Sequence, residues 1–435
     1  MSSLKIKLDT LDLSVLVTIA STTLYLVFRM LGRELGSFAF LWAPLTLLII
    51  FFKHPAVYTW RPMKLLIFYG VLMIGVLQLL LWNNMDDWNQ PRILAEFYFL
   101  LIFTLILSYY WSLNKLRKLA LLSKWALIFI FISLIGTNIA LFIDPMIVRQ
   151  SAASGDFSAL QGRIYKFTGA MSYSYSQAVI FLIPIIIYHI KNKKGMVFEP
   201  KVLIMLLLLI IVTQVRSQVF ANVLVTMVIT IVSWMGLKRI RASVFALSLL
   251  SLLVIIIPTS YYVDLLFYFS SKFNPGSEMQ YKLTDFAIFL KYPEIDTSTG
   301  AGARAERYPM LFDALMRNPL FGNASYNSSI NIMQGAHLYW MNRLALWGIP
   351  GFLFFLFVLY KLFRSISTLF DSEYKFYYFL SIASLVLIGS LKAVGGSEPW
   401  LMLIVVIPGL YFLPLLEQKS AMDSRVIINN KHKSP

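Results

Sequence analysis

Trp125 to Ile143 reads WALIFIFISLIGTNIALFI, with no charged side chain anywhere in it. At 1.5 Å of rise per residue, a helix over this run matches a bilayer core about 30 Å thick. Comparable apolar runs stand at roughly 13–31, 37–52, 65–82, 94–111, 177–190, 202–217, 219–237, 243–262, 346–363, 376–391 and 400–415. Soluble domains do not repeat such runs along most of their length. Barrel strands would alternate polar and apolar residues over shorter segments. The expected fold is therefore an all-α integral membrane protein of about 12 transmembrane helices, organised as a single polytopic domain over 1–435.

Composition agrees, at 58% hydrophobic and 14% charged residues, and it narrows the chemistry. The absence of cysteine excludes disulfides, thiolate zinc sites and cysteine nucleophiles. Leu13 to Met30 reads as the first span and carries no small-residue cleavage site, so no cleavable signal is expected.

The net charge of +17 is explained by its distribution. Lys53, Arg61 and Lys64 follow one span, and Lys115, Arg117, Lys118 and Lys124 follow another. Lys191, Lys193 and Lys194, then Lys238, Arg239 and Arg241, then Lys361 and Arg364 continue the alternation into a basic tail at 416–435. The positive-inside rule places these segments and both termini in the cytoplasm, with Arg29, Arg33 and Lys392 as exceptions. No nucleic-acid partner is expected.

Two long segments fall on the other side, a smaller outer loop at 144–176 and a large outer loop at 264–345. Loops of that length are usually functional. The larger one contains RYPMLFDALMRN, in which Tyr308, Leu311, Phe312 and Leu315 share the spacing of one helical face. Pro309 suits a first turn and Asn318-Pro319 a stop. Such a helix can lie on or dip into a leaflet.

Candidate site residues all lie on this outer side. Arg216, in IVTQVRSQVFANVL, sits where two spans meet almost without a loop. It either faces a polar interior or snorkels to the interface. Arg304 and Arg307, in GAGARAERYP, precede the loop helix, where arginine forks and free helix N–H groups suit phosphate oxygens. Glu306 and Asp296 could instead pair them. His337 stands at the mouth of a span, near Tyr339, Trp340 and Trp347, as a structural residue or as a base near neutral pH. Arg163 and Lys166 bring charge to the first long loop beside Ser and Tyr residues able to bind sugars, or are ordinary loop charges. No metal or cofactor is expected, since no His/Asp/Glu cluster, Gly-rich phosphate loop or Gly-x-Ser-x-Gly elbow occurs. The Asp86-Asp87 pair reads as an orientation signal. Polar residues inside spans are expected to be few, Gln78 being one, which speaks against a transporter.

The stretch ARAERYPMLFDALMRNPLFGNASYNSSINIMQGAHLYWMNRLALWGIPG resembles the signature region of the O-antigen polymerase and O-antigen ligase superfamily. Arg304 matches the family's Arg, Pro319 to Gly322 its Pro-Leu-Phe-Gly, His337 its His, and Gly348 to Gly351 its closing turn. Weaker resemblance joins TQVRSQVFANVL, with Arg216, and GRIYKFTGAMSYSYSQAVIFLIP, with Arg163 and Gly169, to two further blocks. Tyr308 replaces a Trp, Leu338 an Asn, Ala303 a Gly and Val215 a Ser. The resemblance implies a metal-independent glycosyltransferase of the bacterial inner membrane, acting on undecaprenyl-diphosphate-linked oligosaccharide at the outer face. Arg216 and Arg304 would hold diphosphate and His337 would act as base or acceptor guide. Arg307, Arg163, Lys166 and Tyr308 would contact diphosphate or glycan. A polymerase, with a chain-length regulator as a possible partner, is the leading expectation. A ligase passing glycan to lipid A-core or protein is the alternative, and a lipid-oligosaccharide flippase a further one.

Overall fold

The computed structural model describes residues 10–23, 42–81, 91–148, 159–192, 198–217, 219–237, 258–276, 278–292, 307–323, 338–394 and 396–416. Among these residues the chain is helical and contains no strand. In chain order the helices are α1 (Thr10–Thr23), α2 (Trp42–Lys53), α3 (Arg61–Leu81), α4 (Pro91–Ser112) and α5 (Leu116–Ile143). Then come α6 (Ala159–Thr168), α7 (Tyr173–Lys191), α8 (Pro200–Arg216), α9 (Phe220–Met235) and α10 (Thr259–Ser270). The series ends with α11 (Glu278–Lys291), α12 (Arg307–Arg317), α13 (Tyr339–Ser367), α14 (Ser372–Leu391) and α15 (Glu398–Tyr411).

Four of them, α5, α7, α13 and α14, are long and apolar enough to cross a membrane. The helix α5 shows how the sequence divides its faces. Trp125, Ile132, Ile139 and Phe142 point outward and are exposed, whereas Ser123, Leu134 and Thr137 are buried. An apolar exterior over a more polar interior is the arrangement expected in lipid. Prolines shape two others. Pro184 follows a 3-10 turn at Val179–Leu182 in α7, and Pro408 follows a π turn at Met402–Val406 in α15. Both irregular turns accommodate a residue that has no N–H and a ring that crowds the preceding turn.

The core runs through α4, α5, α7, α13, α14 and α15, and Trp400, Tyr109, Tyr374 and Tyr378 are among its largest fully buried side chains. The segments gather at two ends. At one, here the basic end, Asp12 meets Lys115 and Lys118, Lys191 reaches the carbonyls of Ser233 and Trp234, and Arg61 faces Lys361 and Arg364 across one cavity. At the opposite, loop end, Met171 N–H bonds Thr137 Oγ1, Tyr339 N–H bonds the Lys392 carbonyl, and α12 rests on α13.

Several boundaries differ from the sequence reading. The span expected at 243–262 lies outside the described residues up to 257, and its last residues fall in α10, which continues to Ser270. The segment 264–345 holds α11 as well as the expected loop helix, and the segment 144–176 holds α6. The span expected at 346–363 starts earlier, at Tyr339, and α13 passes through the Gly-Ile-Pro-Gly stretch with a break at Gly348 (φ 68°, ψ 177°). The basic tail beyond 416 lies outside the described residues.

Candidate functional site

The break in α13 organises the loop end. A helix interrupted at Gly348 leaves carbonyls of the preceding turn without helical donors, and the segment following α12 supplies them. Asn323 N–H bonds the carbonyls of Ala345 and Leu346, and its Nδ2 bonds the carbonyls of Ala314 (2.6 Å) and Ala345 (2.9 Å). Ile349 N–H reaches the Pro319 carbonyl at 2.8 Å. Gly322 and Gly348 both adopt positive φ and face each other's backbone. A Cβ on Gly348 would stand 2.7 Å from the carbonyl oxygens of Pro319 and Leu320, and one on Gly322 would run into the Leu346 carbonyl. Pro319–Asn323 is thus a clasp that ties α12 to the kink.

Beneath the clasp, Leu311 packs with Leu338 and Ala345 in a small apolar cluster. Leu338 therefore has a packing role, since this side chain is buried against the loop helix. The predicted apolar face divides in two. Leu311 and Leu315 are buried, but Tyr308 and Phe312 are exposed, together with Met316, Leu320 and Phe321. Tyr308 O–H donates to the Ser390 carbonyl on α14. Partial burial holds its phenol above the ordinary value, so it stays a donor at neutral pH.

Arg216 is the last residue of α8, half-buried, with its guanidinium over the Phe142 ring at 4.9 Å. Its Nε is buried without a hydrogen-bond partner. Next to it lies an amide network: Gln214 Nε2 donates to the Ser176 carbonyl (2.8 Å), and Gln214 Oε1 accepts from Ser176 Oγ and Asn222 Nδ2 (3.2 Å each). Both polar atoms of the fully buried Gln177 side chain lack partners, as does Asn222 Oδ1. Arg307 opens α12, half-buried. Arg163 is exposed on α6, which also carries Lys166 in its backbone path. Arg304 and His337 lie outside the described residues.

Sequence reasoning missed a buried ion pair. Glu96 on α4 accepts from the Arg343 guanidinium and from Tyr339 O–H, both on α13, and Arg343 also lies over the Tyr339 ring at 4.8 Å. The two charged side chains are only 11% and 12% exposed. The signal was present: Glu96 is the sole charge in the run 94–111, and Arg343 the sole charge from 338 to 360. Opposite charges in two apolar segments invite pairing. Lys392, an exception to the charge rule, has its Nζ on Tyr173 O–H and over the Tyr173 ring at 4.8 Å.

Polar residues within helices are also more numerous than expected. Asn222, Thr226, Thr230 and Ser233 form a stripe along α9, facing inward while Leu224, Met227, Ile231 and Trp234 face out. Each of the four has a buried side-chain oxygen without a partner. The sequence missed this stripe because Thr and Ser barely lower a hydropathy average.

Among the described residues no group of three or more His, Asp or Glu side chains could hold a metal. The loop end instead carries the Arg216 guanidinium with amide and hydroxyl groups around it, and, on α12, an exposed apolar face. No family model matches this chain, and no curated protein matches it.

Proposed function

We propose that the chain is a glycan polymerase of the bacterial inner membrane, built from about 12 spans with both termini in the cytoplasm and the loop end facing outward. It transfers an oligosaccharide from undecaprenyl diphosphate to the next lipid-linked repeat unit. The clasp is the observation that carries this reading. It supports treating the stretch that resembles the O-antigen polymerase and ligase superfamily as one working unit, because Pro319–Gly322 and Gly348 act on one another and Leu338 packs with Leu311 and Ala345. The exposed face of Phe312, Met316, Leu320 and Phe321 suits contact with a lipid tail.

In this scheme Arg216 and Arg304 hold the diphosphate and neutralise its charge as the glycosidic bond to phosphate breaks, with Arg307 assisting. No metal is required for such a leaving group. His337 takes the proton of the acceptor hydroxyl as that oxygen bonds to the anomeric carbon. Arg163, Lys166 and Tyr308 serve the glycan or diphosphate, and the Tyr308 hydroxyl also ties α12 to α14.

The test is chain-length analysis of surface glycan in cells carrying single variants at wild-type expression. His337→Ala and Arg216→Ala should abolish long chains, and Arg304→Lys should fail as well, because a point charge cannot fork. Unaltered polymer length in the His337 variant would remove the base from the scheme. A ligase is distinguished by its deletion phenotype: lipid-linked polymer accumulates, whereas loss of a polymerase leaves single repeat units attached to core. The α9 stripe is the one observation that favours transport. Extension of lipid-linked glycan by purified protein in detergent, where no gradient exists, would exclude a purely transporting role.

A further inference from the structure

The basic end contains a cavity that charge topology alone does not explain. The start of α3 and the last turns of α13 flank an open cavity of about 300 Å³, lined by Arg61, Pro62, Leu65, Lys361, Arg364 and Thr368, with Ser365 completing the wall. Among the described residues none of the three cations is ion-paired with a carboxylate. Arg364 donates from Nη1 to Tyr360 O–H at 2.7 Å, which fixes the guanidinium but leaves its charge uncompensated. Lys361 rests over the Phe357 ring at 5.2 Å.

The cavity continues into an apolar track. On α3, Arg61, Leu65, Phe68 and Leu72 follow one another along a single face, and on α13 so do Arg364, Lys361, Phe357 and Leu353. Phe68 and Leu72, like Phe357 and Leu353, are exposed. The two helices meet beside this track, where the Phe68 and Phe354 rings lie 6.1 Å apart edge to face. Cations that merely snorkel to an interface need neither a shared cavity between two helices nor an apolar track beneath it.

We propose that this cavity binds the phosphate of an anionic phospholipid, with an acyl chain along Phe68, Leu72, Phe357 and Leu353. The site is independent of the glycan-transfer reading, since it lies at the other end of the bundle and uses none of the same residues. Its chemistry is that of cationic pockets between membrane helices: clustered Lys and Arg attract a phosphate headgroup, while the helix faces accept its tail.

The test uses the full chain, purified and offered phosphatidylglycerol, phosphatidylcholine or inorganic phosphate. Lipid retention is read by native mass spectrometry and stabilisation by thermal unfolding. Phosphatidylglycerol should be retained at least about tenfold over phosphatidylcholine, and this preference should vanish in the Arg61→Gln/Lys361→Gln/Arg364→Gln variant. Lys53→Gln, which removes an exposed cation outside the cavity, should keep it. Should the triple variant not fold, Arg364→Gln alone must weaken retention, and the lipid preference of the unaltered protein remains decisive. Equal retention of both lipids, or a triple variant that keeps the preference, would overturn the site. Inorganic phosphate stabilising as well as lipid would overturn the lipid assignment.

Discussion

The Glu96–Arg343 pair allows the sharpest test of how the loop end is held together. Removing one partner leaves the other charge buried, with each side chain little more than a tenth exposed. Breaking such a pair costs about 3–5 kcal/mol, because an uncompensated charge stays in a poorly solvated place. In Arg343→Met, Glu96 would retain only the Tyr339 hydroxyl as a donor. In Glu96→Gln, the guanidinium would lose its counter-charge and keep the weak bond to Asn342 Oδ1 at 3.4 Å. The double variant leaves no charge: Gln still accepts from Tyr339, and Met occupies the arginine's volume. It should lie at least about 2 kcal/mol above the sum of the single losses. Unfolding in mixed micelles, followed by tryptophan fluorescence, supplies the cycle. Single losses that add to within about 0.5 kcal/mol would refute the pairing, since non-interacting sites are additive to that degree. Glycan synthesis per folded molecule should survive in the double variant, separating this structural pair from Arg216.

Three further outcomes follow from specific contacts. Gly322→Ala forces a Cβ into the Leu346 carbonyl at positive φ, so it should open the clasp and make the segment between α12 and α13 more sensitive to protease, with a loss of at least about 1–3 kcal/mol. Asp12 precedes the first apolar run; burial raises its pKa, but hydrogen bonds from Lys118, Tyr109 and Lys115 outweigh this and leave it below the ordinary carboxylate value. Its contribution is therefore complete above about pH 5 and is lost as pH falls through and below the usual range near 4, so acid unfolding between about pH 5 and 3 should flatten in Asp12→Asn. Thr226→Val removes a buried hydroxyl that has no partner at nearly constant volume, and thermal unfolding should show it neutral or stabilising by up to about 1 kcal/mol.

What the sequence disclosed was governed by locality. The run 125–143 falls within α5, and RYPMLFDALMRN forms α12, ending at Arg317 before Asn318-Pro319. These are signals carried by neighbouring residues. The kink is different. Gly-Ile-Pro-Gly reads locally as the start of a span, yet a helix precedes it from Tyr339, because Asn323 and Pro319 satisfy the groups that the break exposes. No window on residues 346–363 contains that information. Glu96 and Arg343 stand far apart in the chain, and each was invisible to an average dominated by its apolar neighbours. Among the expected site residues, Arg216 stands out in the sequence as a charge between apolar runs, whereas the bond of Tyr308 to a carbonyl on α14 depends on a residue distant in the chain.

These contacts also sort the loop-end cations by what they have left to offer. Arg343 is neutralised by Glu96, and Lys392 is held on Tyr173; both fasten helices to one another. Arg216 differs in kind. Phe142 supports one face of its guanidinium, but a ring quadrupole does not use the N–H groups, and Nε remains buried without an acceptor. A buried donor without an acceptor costs free energy that an anionic ligand would recover on binding. Neighbouring Gln177, with both amide atoms unmatched, carries the same cost. Unmatched polar atoms thus gather where the start of α7, the end of α8 and the start of α9 meet, at Gln177, Arg216 and Asn222. Ligand-dependent stabilisation should therefore disappear in Arg216→Ala but persist in the Glu96–Arg343 double variant. A short-chain lipid diphosphate that stabilised both proteins equally would show that Arg216 is a snorkelling residue and that its unmet donor has no functional meaning.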